Sequence, residues 1–336
     1  MKAYEIQRLG DDAPGLVERP DPEPGTGQVV VEVAAVSLNF RDLMMVRGIY
    51  NPRLRTPRVP CSDAAGRVAA VGPGVTGWKV GDRVTGTFFA GWDDGPVSEA
   101  RVARALGGEA DGVLAERVVF DEGGLVATPG HLSDEEAATL PCAALTAWNA
   151  LFEGSDPVRP GDVVLTQGTG GVSLFAVQFG VMAGARVIVT SSRDEKLDRA
   201  RTLGATHGIN YVQTPEWDAR VRELSGGPGA DHVVELGGAG TLGRSIRAAR
   251  MGGQVHVIGV LSGPGEVNPI AVLMRSVRMR GIFVGSRAMF ARMNRAIGAH
   301  GLRPVVDRVF PFAEAAAAYA HLASGQHFGK VVIRVS

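Results

Sequence analysis

The chain has 336 residues, past the size at which one hydrophobic core usually stops growing, so two domains are expected. Hydrophobic residues make up 45% and charged residues 21%, and 35 basic side chains balance 35 acidic ones, a globular composition with no net pull on nucleic acid or anionic lipid. No uncharged apolar run reaches membrane-spanning length and residues 1–6 lack the apolar core of a signal peptide, so a cytoplasmic protein without nucleic-acid or membrane partners is expected.

Up to residue 125 the pattern is one of short β-like runs between glycine and proline turns. The turn 24–27 precedes residues 29–33, where Val29, Val31 and Val33 share one apolar face. Residues 66–71 and 80–84 repeat that texture, while 93–111 carry weak signals and read as a surface excursion. Beyond 125 the texture becomes strand, glycine turn, helix. Ser133 and Glu136 have capping-box spacing, each able to satisfy an orphan backbone amide, and Pro141 is expected to break or kink the helix before 143–148. Apolar runs at 163–166, 186–190, 232–236, 254–258 and 281–284 have the length of buried parallel strands, with a weaker sixth at 207–211. Strands alternating with helical stretches predict an α/β doubly wound parallel sheet. Residues 329–335 are β-like again, so the expected boundaries are 1–125 for a β-rich domain, 126–286 for the α/β domain and 287–336 for a return to the first.

The clearest chemical signal follows the strand at 163–166. Gly168, Thr169, Gly170, Gly171 and Val172 link that strand to an apolar helix; the first glycine suits a tight turn and the second a close backbone approach to a pyrophosphate. The helix start then offers unpaired amides and positive dipole to phosphate. Ser173 stands at the third fingerprint position, where glycine or alanine is usual. At the end of the second strand an acidic residue would bind the ribose hydroxyls of NAD, but this chain has Thr190, Ser191, Ser192 and Arg193, with Lys196 following. Two hydroxyls and two cations there suit a 2′-phosphate, so NADP(H) is the expected coenzyme. A competing role exists for Ser192, since residues 192–195 also have capping-box spacing.

With these motifs placed, the sequence resembles the medium-chain dehydrogenase/reductase superfamily over essentially its whole length. The resemblance is carried by Ser37-Leu38-Asn39-Phe40-Arg41-Asp42, residues 65–72 and 80–84, Leu140-Pro141-Cys142-Ala143-Ala144-Leu145-Thr146-Ala147-Trp148, the glycine turn, and Phe328-Gly329-Lys330 with the β-run after it. It implies a GroES-like β-barrel domain for the substrate, a Rossmann domain for the coenzyme, a cleft between them, and homodimers or homotetramers in which the last Rossmann strand, near 281–285, pairs across a two-fold axis. Zinc-dependent members bind catalytic zinc through cysteine, histidine and cysteine. Here those positions hold Asn39, Ser62 and Cys142, and the region 90–115 lacks the four cysteines of a structural zinc lobe, so no metal is expected.

Zinc-free members with the Leu38-Asn39-Phe40-Arg41-Asp42 signature resemble quinone oxidoreductases and enone reductases. That likeness implies that Asn39 lies beside nicotinamide and substrate, that Tyr50 lines the cleft, and that Thr146 faces the nicotinamide. It places Tyr211 near the adenosine phosphate and Lys330 near the cofactor pocket. Gly237, Gly259, Val260 and Val284, at the ends of the later strands, complete the expected coenzyme set. Without a Lewis-acid metal, a developing oxyanion needs hydrogen-bond donors; Asn39 and Tyr50 are the candidate catalytic residues, and Asp42 is expected to brace the loop. The expected activity is hydride transfer between NADPH and a quinone, enone or similar activated carbonyl, a small-molecule substrate. Two rivals stand beside it: a zinc-independent alcohol or aldehyde dehydrogenase, and an NADPH-binding protein with a structural or RNA-binding role.

Overall fold

The valine-rich run 28–38 forms the longest strand, as β-branched residues suit a pleated, half-buried surface. In chain order the strands are β1 (Lys2–Glu5), β2 (Gly15–Glu18), β3 (Gln28–Leu38), β4 (Asp63–Val71), β5 (Arg83–Gly86), β6 (Arg117–Asp121), β7 (Leu125–Ala127), β8 (Val163–Gln167), β9 (Arg186–Ser191), β10 (His207–Asn210), β11 (Ala230–Glu235), β12 (Ala249–Val257), β13 (Arg278–Gly281), β14 (Val306–Pro311) and β15 (Lys330–Arg334). The computed structural model describes residues 1–259, 262, 263 and 265–336. Among them, no helix is long and apolar enough to cross a membrane.

The chain divides into two units, Met1–Leu145 with Val284–Ser336, and Thr146–Phe283. In the first, a seven-stranded sheet runs β14-β15-β3-β4-β5-β7, with β6 also pairing β3, and β1 and β2 form a separate hairpin. The C-terminal strand β15 lies antiparallel to β3, which brings Lys330 to the level of Leu38. The sheet encloses a core that includes Val29, Val31, Val33, Leu38, Phe120 and Tyr319. Residues 126–145 belong to this unit and not to the α/β unit expected from 126 onward. The cause is pairing and charge: β7 pairs with β5, Arg83 bonds Asp134, and Arg303 and Arg334 hold Glu136 and Glu135.

The second unit is a six-stranded parallel sheet in the order β10-β9-β8-β11-β12-β13. The order reverses between β8 and β11, making that pair the switch point outside whose carboxyl ends ligands of doubly wound sheets bind. Its core is aliphatic, with Val163, Leu165, Ile188, Val233 and Val255 among its members.

Several local expectations change. The last strand of the parallel sheet is 278–281 and not 281–284, because Arg278 to Gly281 pair with Gln254 to Val257 and Val284 turns to a left-handed φ of 54°. Ser133 and Glu136 form the expected capping box, but Pro141 does not end the helical path; it sits in a π-helical turn, Leu140–Ala144, that widens to accommodate it and runs on into the helix Leu145–Phe152. Within 93–111, the short helix Glu99–Val102 is on the surface, whereas Ala105 and Leu106 return to the interior, Ala105 bridging to Phe89.

Candidate active site

In the α/β unit, β8 is buried along its length and delivers Gly168 at φ +75°, a conformation that favours glycine. Thr169 is buried, Gly170 is the N-cap of the helix Gly171–Met182, and Val172 follows in its first turn. Nothing lies within 4 Å of a Cβ built at Gly170, so its own packing does not demand glycine and the space beside it is open. Ser173, the departure from the fingerprint, earns its place by donating from Oγ to the Gln167 carbonyl at 2.6 Å, which ties helix to strand end. The result is a strand–turn–helix arrangement of the kind that can hold a phosphate at a helix start.

At the ends of β9 and β10 the structure gathers Ser191, Ser192, Arg193, Lys196 and Tyr211. Ser191 is buried and its Oγ accepts from the Arg193 amide at 3.4 Å, while its carbonyl accepts from the Tyr211 amide at 3.0 Å. Ser192 and Arg193 are exposed and Lys196 is half-buried. Arg193, not Ser192, is the N-cap of the helix Asp194–Thr202, without a side-chain cap bond, so the competing role for Ser192 is not realised. The nearest carboxylate, Asp194, is taken up by Asn210 at 2.9 Å and Gln213 at 3.0 Å.

Gly237 and Gly259 are glycines for packing reasons: a Cβ at Gly237 would strike the Thr241 side chain, and one at Gly259 the Leu236 carbonyl. Thr146 is buried in the helix Leu145–Phe152. Val284 is buried and belongs to the other unit's returning segment, and Val260 lies outside the described residues.

In the first unit, the positions expected from the zinc comparison converge on a set of polar groups. Lys330 is 3% exposed, and its Nζ donates to the Leu38 carbonyl at 2.7 Å and to Asn39 Oδ1 at 2.5 Å, with Asp63 Oδ2 at 3.9 Å. Asp63 is fully buried; it accepts from Ser62 Oγ at 2.6 Å and from the Cys142 amide at 3.1 Å. An ammonium can only donate, so the Asn39 amide must present its oxygen to Lys330 and its nitrogen elsewhere. Nδ2 is buried and has no hydrogen-bond partner among the described residues.

Burial pushes the Asp63 carboxyl up from the usual carboxylate range, opposed first by Lys330 and then by Ser62; the Asn39 amide, near but not hydrogen-bonded, pulls more weakly in the same direction. Burial also raises Asp42 to about 6, against the lowering effects of Arg41 and of the Asn39 backbone N–H. Asp42 braces the loop, as expected: Oδ2 accepts from the Asn39 backbone N–H at 2.7 Å, and Oδ1 has no partner among the described residues. Burial and then Asp63 push the Cys142 thiol up. Tyr50 is not brought to Asn39 by any described contact; it is 43% exposed and its ring lies 5.5 Å from the Arg41 guanidinium, which also covers Phe88 at 4.8 Å.

Three residues of these sites escape a reading of the sequence alone: Asp63, Gln167 and Glu235. Asp63 opens β4, while Gln167 and Glu235 close β8 and β11; a polar side chain in otherwise buried sequence is the available signal.

Residues 25–130 match the family described as the alcohol dehydrogenase GroES-like domain, and residues 171–298 the family described as zinc-binding dehydrogenase. A zinc-type alcohol dehydrogenase-like protein of Schizosaccharomyces pombe is 45% identical, covering 92% of this chain and 91% of its own. A 2-haloacrylate reductase of a Burkholderia species is 31% identical, over 92% and 91%. Among solved structures, an NAD-dependent alcohol dehydrogenase superposes with a TM-score of 0.92 at 35% identity over 100% of both chains. A crotonyl-CoA carboxylase/reductase in complex with NADP does so with a TM-score of 0.89 at 26% identity, over 100% of this chain and 94% of the other.

Proposed function

Since the chain belongs to the medium-chain dehydrogenase/reductase superfamily, with a GroES-like and a Rossmann unit, we propose that this oxidoreductase is a zinc-free, NADPH-dependent reductase of enones, quinones or comparably activated carbonyls. The observation that carries the reading is the Asn39 amide, whose oxygen is held by Lys330 while Nδ2 remains an unused buried donor. Buried donors without partners are rare and costly, and an oxyanion that forms during reaction is a partner that satisfies one.

The donor set does not fit zinc. Asn39 Oδ1 already faces an ammonium and Ser62 Oγ is engaged with Asp63, which leaves Cys142 as the one free ligand of the three positions, whereas zinc needs three ligands converging without a competing cation. In the α/β unit, Gly168–Val172 would hold the pyrophosphate and Ser191, Ser192, Arg193 and Lys196 a 2′-phosphate, with Tyr211, Thr146, Gly237 and Gly259 around them. The coenzyme supplies a hydride. As the substrate takes on negative charge at oxygen, Asn39 Nδ2 donates to it, Lys330 polarises and fixes that amide, and solvent provides the completing proton. Conjugated acceptors suit this metal-free site because they spread the incoming charge. The relatives named 2-haloacrylate reductase and crotonyl-CoA carboxylase/reductase support an activated double bond as substrate.

The test is Asn39→Ala with NADPH and a panel of quinones, enones and simple ketones, alongside coenzyme titration. The expected result is activity on the conjugated members, a fall in kcat of roughly tenfold to a hundredfold, and little change in NADPH affinity. Unchanged turnover with lost NADPH binding would make Asn39 a coenzyme anchor and sink its oxyanion role. A stoichiometric zinc whose chelation abolishes activity would sink the metal-free reading. A homodimer also belongs to the proposal: the edge strand β13 and the helix Pro269–Arg275 leave Met279, Ile270, Leu273 and Met274 exposed, and light scattering at the monomer mass would oppose it.

A further inference from the structure

We propose that Gln167 and Glu235 form a lock across the switch point of the parallel sheet that sets the shape of both glycine turns for the coenzyme, so that they are positioning residues for its binding. The inference rests on the reading that the α/β unit holds a nicotinamide dinucleotide.

Glu235 ends β11, is fully buried, and has no cationic partner among the described residues. Dipoles alone hold its carboxylate. Oε1 accepts from the Gly237 amide at 2.8 Å, the Gly238 amide at 2.9 Å and Thr241 Oγ1 at 2.5 Å; Oε2 accepts from Gln167 Nε2 at 2.8 Å and from Ser245 Oγ. Gln167 ends β8 and completes the link from the other side, its Oε1 accepting from the Leu236 and Gly237 amides at 3.1 Å each. The Gln167 carbonyl in turn receives Ser173 Oγ from the helix that starts at Gly171. The turn beyond Gly237 is fastened further by Ser262, which donates to the Gly237 carbonyl from N and Oγ.

Position gives the network its meaning. β8 and β11 are the strands between which the order reverses, and Gln167 and Glu235 are the last residues of each. The residue after Gln167 is Gly168, the tight turn of the phosphate cradle, and the residues after Glu235 include Gly237 and Gly238, the latter at φ +84°. A buried carboxylate without a counter-ion is costly unless every lone pair is used, and here five donors use them. A hydrophobic pair would hold two strands together at lower cost. What the polar pair adds is direction: each amide of residues 236–238 is turned inward to a fixed acceptor, so the outer surface of the turn has a single shape.

Glu235→Gln tests this at constant size, because it turns one acceptor oxygen into an amide donor facing other donors. NADPH binding is read by fluorescence titration and steady-state kinetics, and folding by circular dichroism and thermal unfolding. The expected outcome is a rise in NADPH Kd and KM of about tenfold or more with a much smaller change in kcat. The exchanged pair Gln167→Glu with Glu235→Gln, which keeps one donor and one carboxylate across the switch point, should recover most of the affinity. Should Glu235→Gln fail to fold, Ser245→Ala and Thr241→Val each remove one donor and should raise KM in the same selective way. Variants that fold, lose thermal stability and keep the parent's NADPH affinity would overturn the lock while leaving the coenzyme reading intact. Parent protein that binds neither NADPH nor NADH would overturn both.

Discussion

The two units each bury a charged cluster at the end of an apolar strand, and the clusters are finished differently. Around Glu235 every carboxylate lone pair has a donor, and the groups that supply them come from the end of β8, a turn and a helix. Around Lys330 and Asp63 the charges are balanced, yet Asn39 Nδ2 and Asp42 Oδ1 are left without partners. A satisfied network rigidifies, whereas an unsatisfied donor stores a free energy that a passing acceptor can release. On the readings proposed above, the satisfied cluster shapes a site and the unsatisfied one takes part in the reaction.

The strongest way to break that comparison is to remove the charge at the centre of the Asn39–Asp63 cluster. Lys330→Met leaves Asp63 buried with Ser62 and the Cys142 amide but no cation, and frees the Asn39 amide to rotate. The expected loss in unfolding free energy is about 3–5 kcal/mol, the range for stranding one member of a buried ion pair. Asp63→Asn placed on top should recover part of it, since the stranded charge is gone. Denaturant unfolding of the four proteins of this cycle measures the coupling. A Lys330→Met protein within about 1 kcal/mol of the parent would mean that the cluster is not electrostatically held.

A smaller effect sharpens the claim that an orphan atom alone does not make a site. Val234 pairs with His256, and strand residues alternate in direction, so His256 lies on the opposite face of the sheet from Glu235. His256 Nε2 shares a hydrogen bond with His232 Nδ1 at 3.2 Å, while its Nδ1 has no partner among the described residues. Burial first, and then His232 and Arg280, push its pKa down from the ordinary imidazole value of 6.5 to about 3. The folded protein therefore holds His256 neutral where the unfolded chain takes up a proton. The stability it contributes is complete above pH 6.5 and drains away as pH falls toward 3, by about 2 kcal/mol between pH 7 and 5. Unfolding at both pH values, compared with His256→Gln, isolates that slope; turnover per folded enzyme should be the same in both proteins. Parallel pH dependence in the two would remove His256 from the account.

Much of this was legible in the sequence. The six-strand alternation, the glycine turn at 168–171 and the Ser133 cap are local signals, and local signals survive into the fold. The boundary at 125 was not legible, because it depends on β7 pairing with β5 and on arginines at 303 and 334 reaching back to residues 135 and 136. The last parallel strand was misplaced for a related reason: Ile282, Phe283 and Val284 look more like a strand than Arg278-Met279-Arg280-Gly281 does, but register with β12 decides. Asn39 and Lys330 came as separate expectations of a family likeness, and only the antiparallel pairing of β15 with β3, nearly 300 residues apart, brings them together. Tyr50, expected to line the cleft as a second hydroxyl donor, is half-exposed and its described contact is Arg41.

The smallest effect bears on the exposed part of the α/β unit, where the lock gives way to solvated charges. Ser191 is held by the backbone around it, whereas Ser192 and Arg193 stand in solvent and Lys196 is half-buried. A 2′-phosphate bound there would be stabilised by contacts that water and salt screen, so each should be worth about 1 kcal/mol, less than a buried charge-assisted bond. Asp194, the carboxylate nearest the strand tip, is turned to Asn210 and Gln213 and so is not presented to ribose hydroxyls as NAD recognition requires. The expected result is tighter binding of NADPH than of NADH, with Lys196→Ala and Arg193→Ala each shrinking the ratio about fivefold by weakening NADPH alone. Raising the salt concentration should shrink it in the parent as well, because the groups are exposed. Releasing Asp194 by Asn210→Ala with Gln213→Ala should move the ratio further toward NADH by strengthening NADH. Equal affinities in the parent, or a ratio indifferent to salt and to both cations, would assign the β9 tip no part in coenzyme choice.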